Sequence, residues 1–431
     1  MKKNYKYLVI MPVLLLTACN FKFEYRLPDG VQFYSEGGAW EDEGSDIDDS
    51  GTYTIKVWVD KKIQSLTEAQ INNFSSASGG KIRFNATVQA MSEGDAATKM
   101  LQDVDAGADI FVFAQDQLSR LKTANAISAL SSSMTAHMKE VNMKESCDAA
   151  TLGDKMYAYP MTSDNGYFLY YDNSVLSETD VKDMSTMLSK LSAKKKKLNF
   201  ARGSGFYSIS YFTAQGIDCY SHWTCDDRTG RFLSYEDNYT PDNPNAVKAA
   251  LAFREVCDNA VVATKSTWTN SAAAIITGIW EYEYIKEMYG SHMACTELPS
   301  FKVDGKSYHM SSFDGYKLMG VKPQKDKKKA SALRKLAEYL TNYENQLNRF
   351  RTVSWGPSNL QASNNSEVLA HPGLNALKAQ HAYAHQQEQC PGEWFNALGG
   401  MCTSITTTST EAQIKALLTN YQKGLPELLD D

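Results

Sequence analysis

The stretch that most limits how this chain can fold runs from Tyr157 to Leu176, Y-A-Y-P-M-T-S-D-N-G-Y-F-L-Y-Y-D-N-S-V-L. Its aromatic content predicts two β segments, Tyr157–Pro160 and Tyr167–Tyr171, joined by the polar piece Thr162–Gly166. Asp-Asn-Gly tolerates the backbone angles that such a bend requires. Taken alone, this is an ordinary β connection. Its flanks give it more weight, because an α/β segment that looks complete precedes it, from Thr54 to about Leu130, and a second begins after it. The stretch is therefore expected to cross between two lobes, with Asp164 and Asn165 at the cleft.

The first segment opens with the strand T-I-K-V-W-V-D (Thr54–Asp60), and a helix follows over Ser65–Ser78 with Leu66, Ala69, Ile71 and Phe74 on one face. Gly79-Gly80 stops that helix. A strand over Lys81–Val88, a helix over Gly94–Asp103 and a strand within D-A-G-A-D-I-F-V-F-A-Q-D (Asp105–Asp116) come next. Strands alternating with helices imply a parallel sheet, and such sheets collect ligands at the carboxyl ends of their strands. That rule singles out Asp60, Lys61, Phe113 and Asp116.

Beyond the crossing, a helix is expected over Thr179–Ser192, running into four lysines, Lys194–Lys197. A solvated helix end is the ordinary explanation of such a run, ahead of nucleic acid or acidic lipid. Phe206–Gly216 opens as an apolar helix, Ile217–Asn243 looks like an irregular insertion, and Asn245–Asp258 is helical. The strand A-A-A-I-I-T-G (Ala272–Gly278) runs directly into Ile279–Lys286, which opens a helix at Trp280. V-D-G-K-S (Val303–Ser307) has the tail of a phosphate loop, but the first glycine that loop needs falls on Ser300 and a D-G hairpin turn accounts for the rest. Further crossings are expected within Ser311–Val321 and near Ser366–Pro372. Helices are expected over Lys325–Asn342, Glu344–Arg351, Gly373–Gln387 and Glu411–Lys423.

Several of these pieces, in this order, resemble the extracellular solute-binding proteins of ABC sugar importers, the maltodextrin-binding type above all. The matching features are the Tyr-Pro crossing with its Tyr-Asp-Asn end, G-x-D-I-x-x-x-x-x-D before Asp116, and the small-apolar strand before Trp280. C-T-E-L-P-S-F (Cys295–Phe301) and E-W-F-N-A-L (Glu393–Leu398) add to them. The resemblance covers about Thr52 to the end. It implies a two-lobe α/β periplasmic-binding-protein fold with the ligand cleft at the hinge crossings. The first lobe would be 52–163 plus 316–368, and the second 164–315 plus 369–431. It also implies an oligosaccharide ligand, ABC permease transmembrane subunits as partners, a monomer, and no catalytic residue or cofactor. The aromatic platforms it implies are Phe113, Phe206, Trp280 and Trp394, with Phe395 beside the last. The polar contacts it implies are Asp60, Lys61, Asp116 and Asp164. A sugar's flat C–H faces and rim of hydroxyls suit that combination. Core packing is the competing explanation for each aromatic; Trp280 and Trp394 gain because both open a helix after a turn. Gln117 stands where maltodextrin binders carry arginine, Ser204 where they often carry glutamate, and Phe113 where they carry tryptophan. These departures put maltose itself in doubt.

The amino terminus concerns location. Lys2, Lys3 and Lys6 precede the apolar run Tyr7–Leu16, too short to span a bilayer, so residues 1–18 are expected to be a signal peptide. Leu16-Thr17-Ala18-Cys19 looks like a bacterial lipobox, which would make Cys19 a lipidated first residue and place the protein outside the cytoplasm, held on the cell membrane. Acyl chains bind membrane at about 0.8 kcal/mol per buried methylene. Residues 19–51, acidic between Glu41 and Gly51, are expected to be a flexible tether, although the aromatics of Phe21–Tyr34 exceed what a linker needs. The formal charge of −6 argues against a nucleic-acid partner. Of eight cysteines, Cys19 is assigned to lipid and seven remain, an odd number. Cys219/Cys225 and Cys390/Cys402 are candidate disulfides, and buried thiols are an equal alternative. C-Y-S-H-W-T-C (Cys219–Cys225) matches no structural zinc pattern, so no metal is expected. Two other functions fit the same chain: a surface glycoside hydrolase, which needs two carboxyl groups across a bond, and a surface adhesion lipoprotein, which needs no closing motion.

Overall fold

The computed structural model describes residues 47–264 and 271–430. Two five-stranded sheets organise it. In the first, the order is Ile82–Ala90, Gly51–Val59, Ile110–Ala114, Lys317–Val321 and Ala158–Thr162. The first three strands are mutually parallel, whereas Lys317–Val321 runs antiparallel to both of its neighbours. The chain returns along Lys317–Val321 after visiting the second sheet, so this strand enters from the opposite end. The second sheet has the order Val262–Ala263, Lys197–Asn199, Ala272–Gly278, Tyr167–Asp172 and Met293–Thr296. Tyr167–Asp172 is antiparallel to both of its neighbours.

Strand Ala158–Thr162 thus belongs to one sheet and Tyr167–Asp172 to the other, with only residues 163–166 between them. The bend is held from both sides. Ser163 donates its N–H to the Gly356 carbonyl at 2.9 Å, and Asn165 donates to the Gly315 carbonyl at 2.9 Å. Gly166 admits no side chain, since a Cβ there would lie 2.2 Å from the Phe313 carbonyl oxygen.

There are two large buried clusters among the described residues, and the first runs on from the first sheet to the Phe168, Tyr170 and Ile275 face of the second. Ile55, Val57, Phe111, Phe113 and Leu318 are buried around the first, and Leu169, Phe200, Tyr211, Phe253 and Ala274 around the second. Helix Gln64–Ala77 buries Leu66, Ile71 and Phe74, the face its periodicity predicts. Trp58 is core, its Nε1 bonded to Gln89 Oε1 at 3.0 Å. Asp304-Gly305 forms the two-residue hairpin turn, with φ of 50° and 73°, between Ser300–Val303 and Lys306–His309. Lys194 closes the helix Met184–Ala193, and the lysines there are largely exposed.

Four expectations need correction. Ile217–Asn243 is not irregular: Ser221–Cys225 and Phe232–Asp237 pair as an antiparallel hairpin. The helix expected over Gly373–Gln387 stops at Gln380, and Ala384–Gln386 instead pairs with Ser312–Asp314. The tether does not remain free to its end, because Asp49 is buried, accepts from Ser331 Oγ at 2.7 Å and pairs with Lys335 at 3.0 Å. Cys147, Cys219, Cys225, Cys257, Cys295, Cys390 and Cys402 are all thiols, so neither candidate disulfide is formed. Cys19, the signal segment and Trp268 lie outside the described residues. Among those described, no helix is long and apolar enough to cross a membrane.

Candidate functional site

The first strand ends at Asp60, whose carboxylate accepts the Lys62 N–H at 2.7 Å and starts a single 3-10 turn. That turn leaves Lys61 exposed and sends Lys62 to the other lobe. There Lys62 Nζ donates to the Trp280 carbonyl at 2.6 Å and pairs with Glu281 at 2.8 Å. Trp280 follows the strand Ala272–Gly278 and is half-buried. Its ring lies over Gly278, where a Cβ would come within 2.1 Å of the indole. Only glycine allows that placement.

Against Trp280 stands Lys317, the first residue of the returning strand and 3% exposed. Its ammonium lies 3.6 Å from the centre of the Trp355 ring and 5.2 Å from that of Trp280. The nearest carboxylate is Glu93 at 3.7 Å, in the first turn of helix Glu93–Gln102. Burial raises the pKa of Glu93, opposed by Lys317. Asp164 is 1% exposed and accepts the Gly356 N–H at 2.6 Å. Burial raises its pKa as well, against Lys317 and other contacts that favour the anion. Burial of Arg349, next to Asp164, lowers its pKa to about 10. The Trp355 Nε1 and the Tyr167 hydroxyl are buried without a hydrogen-bond partner among the described residues.

The second lobe adds an aromatic group. Phe206, near the start of helix Gly205–Phe212, lies 5.2 Å from Phe313, 5.9 Å from Phe395 and 6.4 Å from Trp280, between ring centres. Tyr167 is 5.2 Å from the same ring. The structure therefore brings together, between the two sheets, Asp60, Asp164, Phe206, Trp280 and Phe395 of the residues singled out from sequence. Glu93, Lys62, Lys317, Trp355 and Phe313 join them and were missed. A lysine opening the otherwise apolar strand K-L-M-G-V was the available signal for Lys317.

Three other candidates face elsewhere. Phe113 is fully buried in the first core, 5.7 Å from Phe111. Trp394 is 4% exposed in the second core, where its Nε1 donates to the Tyr421 hydroxyl at 2.9 Å. A turn before a helix leaves open which way the indole points, and helix Glu411–Gly424 covers this one. Asp116 lies beneath residues 387–390 and accepts from Gln387 Nε2 at 2.8 Å. Desolvation raises its pKa to about 6. Gln117 is spent on the Ala97 N–H and the Gly94 carbonyl.

Of two cavities, one borders the cluster at Phe313 and Phe395. That one, of about 110 Å³, is lined by Phe313, His385, Trp394 and Phe395 on the second lobe, and the other, of about 420 Å³, by His137, Glu338, Tyr343 and Leu360 on the first. Neither is lined by Trp280, Lys317 or Asp164. The lobes meet directly at those residues. Among the described residues no cluster of His, Cys, Asp or Glu could hold a metal ion; His222 pairs with Glu388 at 2.7 Å.

A family model described as bacterial extracellular solute-binding protein matches residues 69–376. No curated protein matches the sequence. Among solved structures, the maltodextrin-binding protein MalE1 from L. casei BL23 without ligand superposes with a TM-score of 0.71 at 23% identity, covering 87% of this chain and 99% of that one. The GacH receptor of Streptomyces glaucescens gives 0.70 at 14% identity, over 88% and 98%. The maltose-maltodextrin binding protein of Alicyclobacillus acidocaldarius gives 0.65 at 16%, over 86% and 100%. These likenesses establish the two-lobe fold.

Proposed function

Because this chain belongs to the bacterial extracellular solute-binding proteins, we propose that it captures an oligosaccharide between its lobes and hands it to an ABC permease. The observation that carries this reading is the cluster between the two sheets. Half-buried Trp280, with Phe206 and Phe395 near it, offers an apolar platform, and half-buried Glu93 with the buried Asp164 and Lys317 stands within reach of the same space. Aromatic faces suit sugar C–H faces, while charged groups in a closed cleft hydrogen-bond hydroxyls strongly. The structural relatives named for maltodextrin and acarbose support the same class of ligand.

Asp60 and Lys62 sit on the first lobe and Trp280 and Glu281 on the second, so the ion pair Lys62–Glu281 spans the lobes. Closure over the ligand would turn on residues 163–166 and the two later crossings, with lobes 52–163 plus 316–368 and 164–315 plus 369–431. Lipid on Cys19 would hold a monomeric receptor at the outer face of the cell membrane, and Cys19→Ala should abolish acylation. Nothing covalent happens to the ligand, so no catalytic residue is assigned.

The test is a thermal-shift panel of neutral and acidic oligosaccharides, followed by calorimetry on the best ligand. A raised melting temperature and one-to-one binding without new saccharide products are expected. Product release would instead indicate a glycoside hydrolase, and no shift with any sugar would overturn the reading.

A further inference from the structure

Resting on the sugar-binding reading above, we infer that the cleft takes a sugar bearing a carboxylate, a uronic acid, and that Lys317 is the residue that recognises it. The Lys317 side chain is 3% exposed, yet its ammonium makes no hydrogen bond among the described residues. Glu93 is its nearest carboxylate, and 3.7 Å is an ion pair beyond hydrogen-bond length. The faces of Trp355 and Trp280 attract the cation but offer no lone pair to its three N–H donors. Taking an ammonium out of water is unfavourable unless it is paired and hydrogen-bonded.

The surroundings hold unpaired groups of both kinds, which a ligand with a carboxylate and hydroxyls can meet together. Trp355 Nε1 and the Nε and Nη1 of Arg349 are buried donors without a hydrogen-bond partner among the described residues, and Glu93 Oε1 and Asp164 Oδ1 are buried acceptors without one, open to sugar hydroxyls. Asp164 uses only Oδ2 to accept the Gly356 N–H, and Lys62 is committed to Glu281 and the Trp280 carbonyl. Burial pushes Glu93 and Asp164 towards their neutral forms, opposed by Lys317. A carboxylate carried at C6 of a sugar ring brings a full negative charge and two acceptor oxygens, with the ring itself against Trp280. A neutral hydroxyl brings an acceptor and no charge. The backbone of Lys317 pairs with Ala114 and Thr162, so the residue's position is fixed by the sheet whatever enters the cleft.

The experiment is calorimetry on the full chain with cellobiose, maltotriose and galactobiose, each beside its counterpart carrying a uronic acid. At least one uronate should bind about tenfold or more tighter than its neutral partner, as a charge-assisted hydrogen bond implies. In Lys317→Met, with folding checked by melting, that acid-to-neutral ratio should fall at least tenfold. Trp355→Phe, which keeps a ring and loses the Nε1 donor, should lower uronate affinity by a smaller factor. Neutral sugars bound as tightly as their acids, or a ratio that survives Lys317→Met, would overturn the inference while leaving the receptor reading intact. Binding of no sugar at all would overturn both.

Discussion

Two regions of this molecule contain the same ingredients, a tryptophan at the start of a helix and a buried aspartate, and use them differently. Around Trp280 and Asp164 the contacts run between the lobes, to Lys62 and Lys317 of the first lobe, and several buried polar atoms have no protein partner among the described residues. Trp394 and Asp116 themselves find protein partners. Trp394 bonds Tyr421, Tyr421 donates to Asp237 at 3.0 Å, and Asp116 takes the amide of Gln387. A self-satisfied set contributes to stability; an incompletely satisfied one between two lobes is placed to take a ligand. The residue types are the same, and the supply of internal partners distinguishes the two regions.

The largest effect should come from breaking the self-satisfied side. Trp394→Ala removes a buried indole from the second core and should cost about 3–5 kcal/mol of stability, measured by denaturant unfolding. A loss under about 1 kcal/mol would show that Trp394 is not core.

Next comes Asp116. Its pKa in the folded protein, pushed up to about 6, lies above the ordinary aspartate value of about 3.9, so the folded state holds the proton more tightly than the unfolded one. Stability attributable to this group is therefore full below about pH 4 and is lost as pH rises through 6. The loss is on the order of 3 kcal/mol when complete. Asp116→Asn should flatten the pH dependence of melting between pH 4 and 6 and leave the protein more stable at neutral pH. An unchanged profile would mean that Asp116 is solvated.

On the other side the effects move to affinity. Trp280→Ala should weaken sugar binding by about 2 kcal/mol, roughly thirtyfold, with the fold retained. Calorimetry showing equal affinity would remove Trp280 from the site. Lys62→Ala should have the smallest effect. Loss of the Lys62–Glu281 pair should favour lobe opening by roughly 1 kcal/mol, seen as a larger radius of gyration by solution scattering without ligand. No change would mean that the pair does not hold the lobes together.

Much of the fold was legible because it rests on local chemistry. The period of helix Gln64–Ala77, the Asp-Asn-Gly bend and the Asp304-Gly305 turn each follow from residue type and spacing. The hairpin Ser221–Cys225/Phe232–Asp237 was not legible, because its exposed polar residues mask the alternation of a two-sided strand. Half of the candidate site was visible in the same way, as strand ends and helix starts. The direction of a side chain was not. Asp60 caps the following turn and so exchanges Lys61 for Lys62 at the lobe interface. Glu93 and Trp355 are brought to Lys317 by contacts remote in sequence, which no window of residues displays.

The most direct measurement is a crystal structure of the protein with the tightest-binding oligosaccharide from the panel. The expected result is a sugar ring against the Trp280 indole, with hydroxyl or carboxylate oxygens bonded among Glu93, Asp164 and Lys317. A sugar seated instead in the cavity of about 110 Å³ beside Trp394, with Lys317 still over Trp355 and the lobes unmoved, would contradict it.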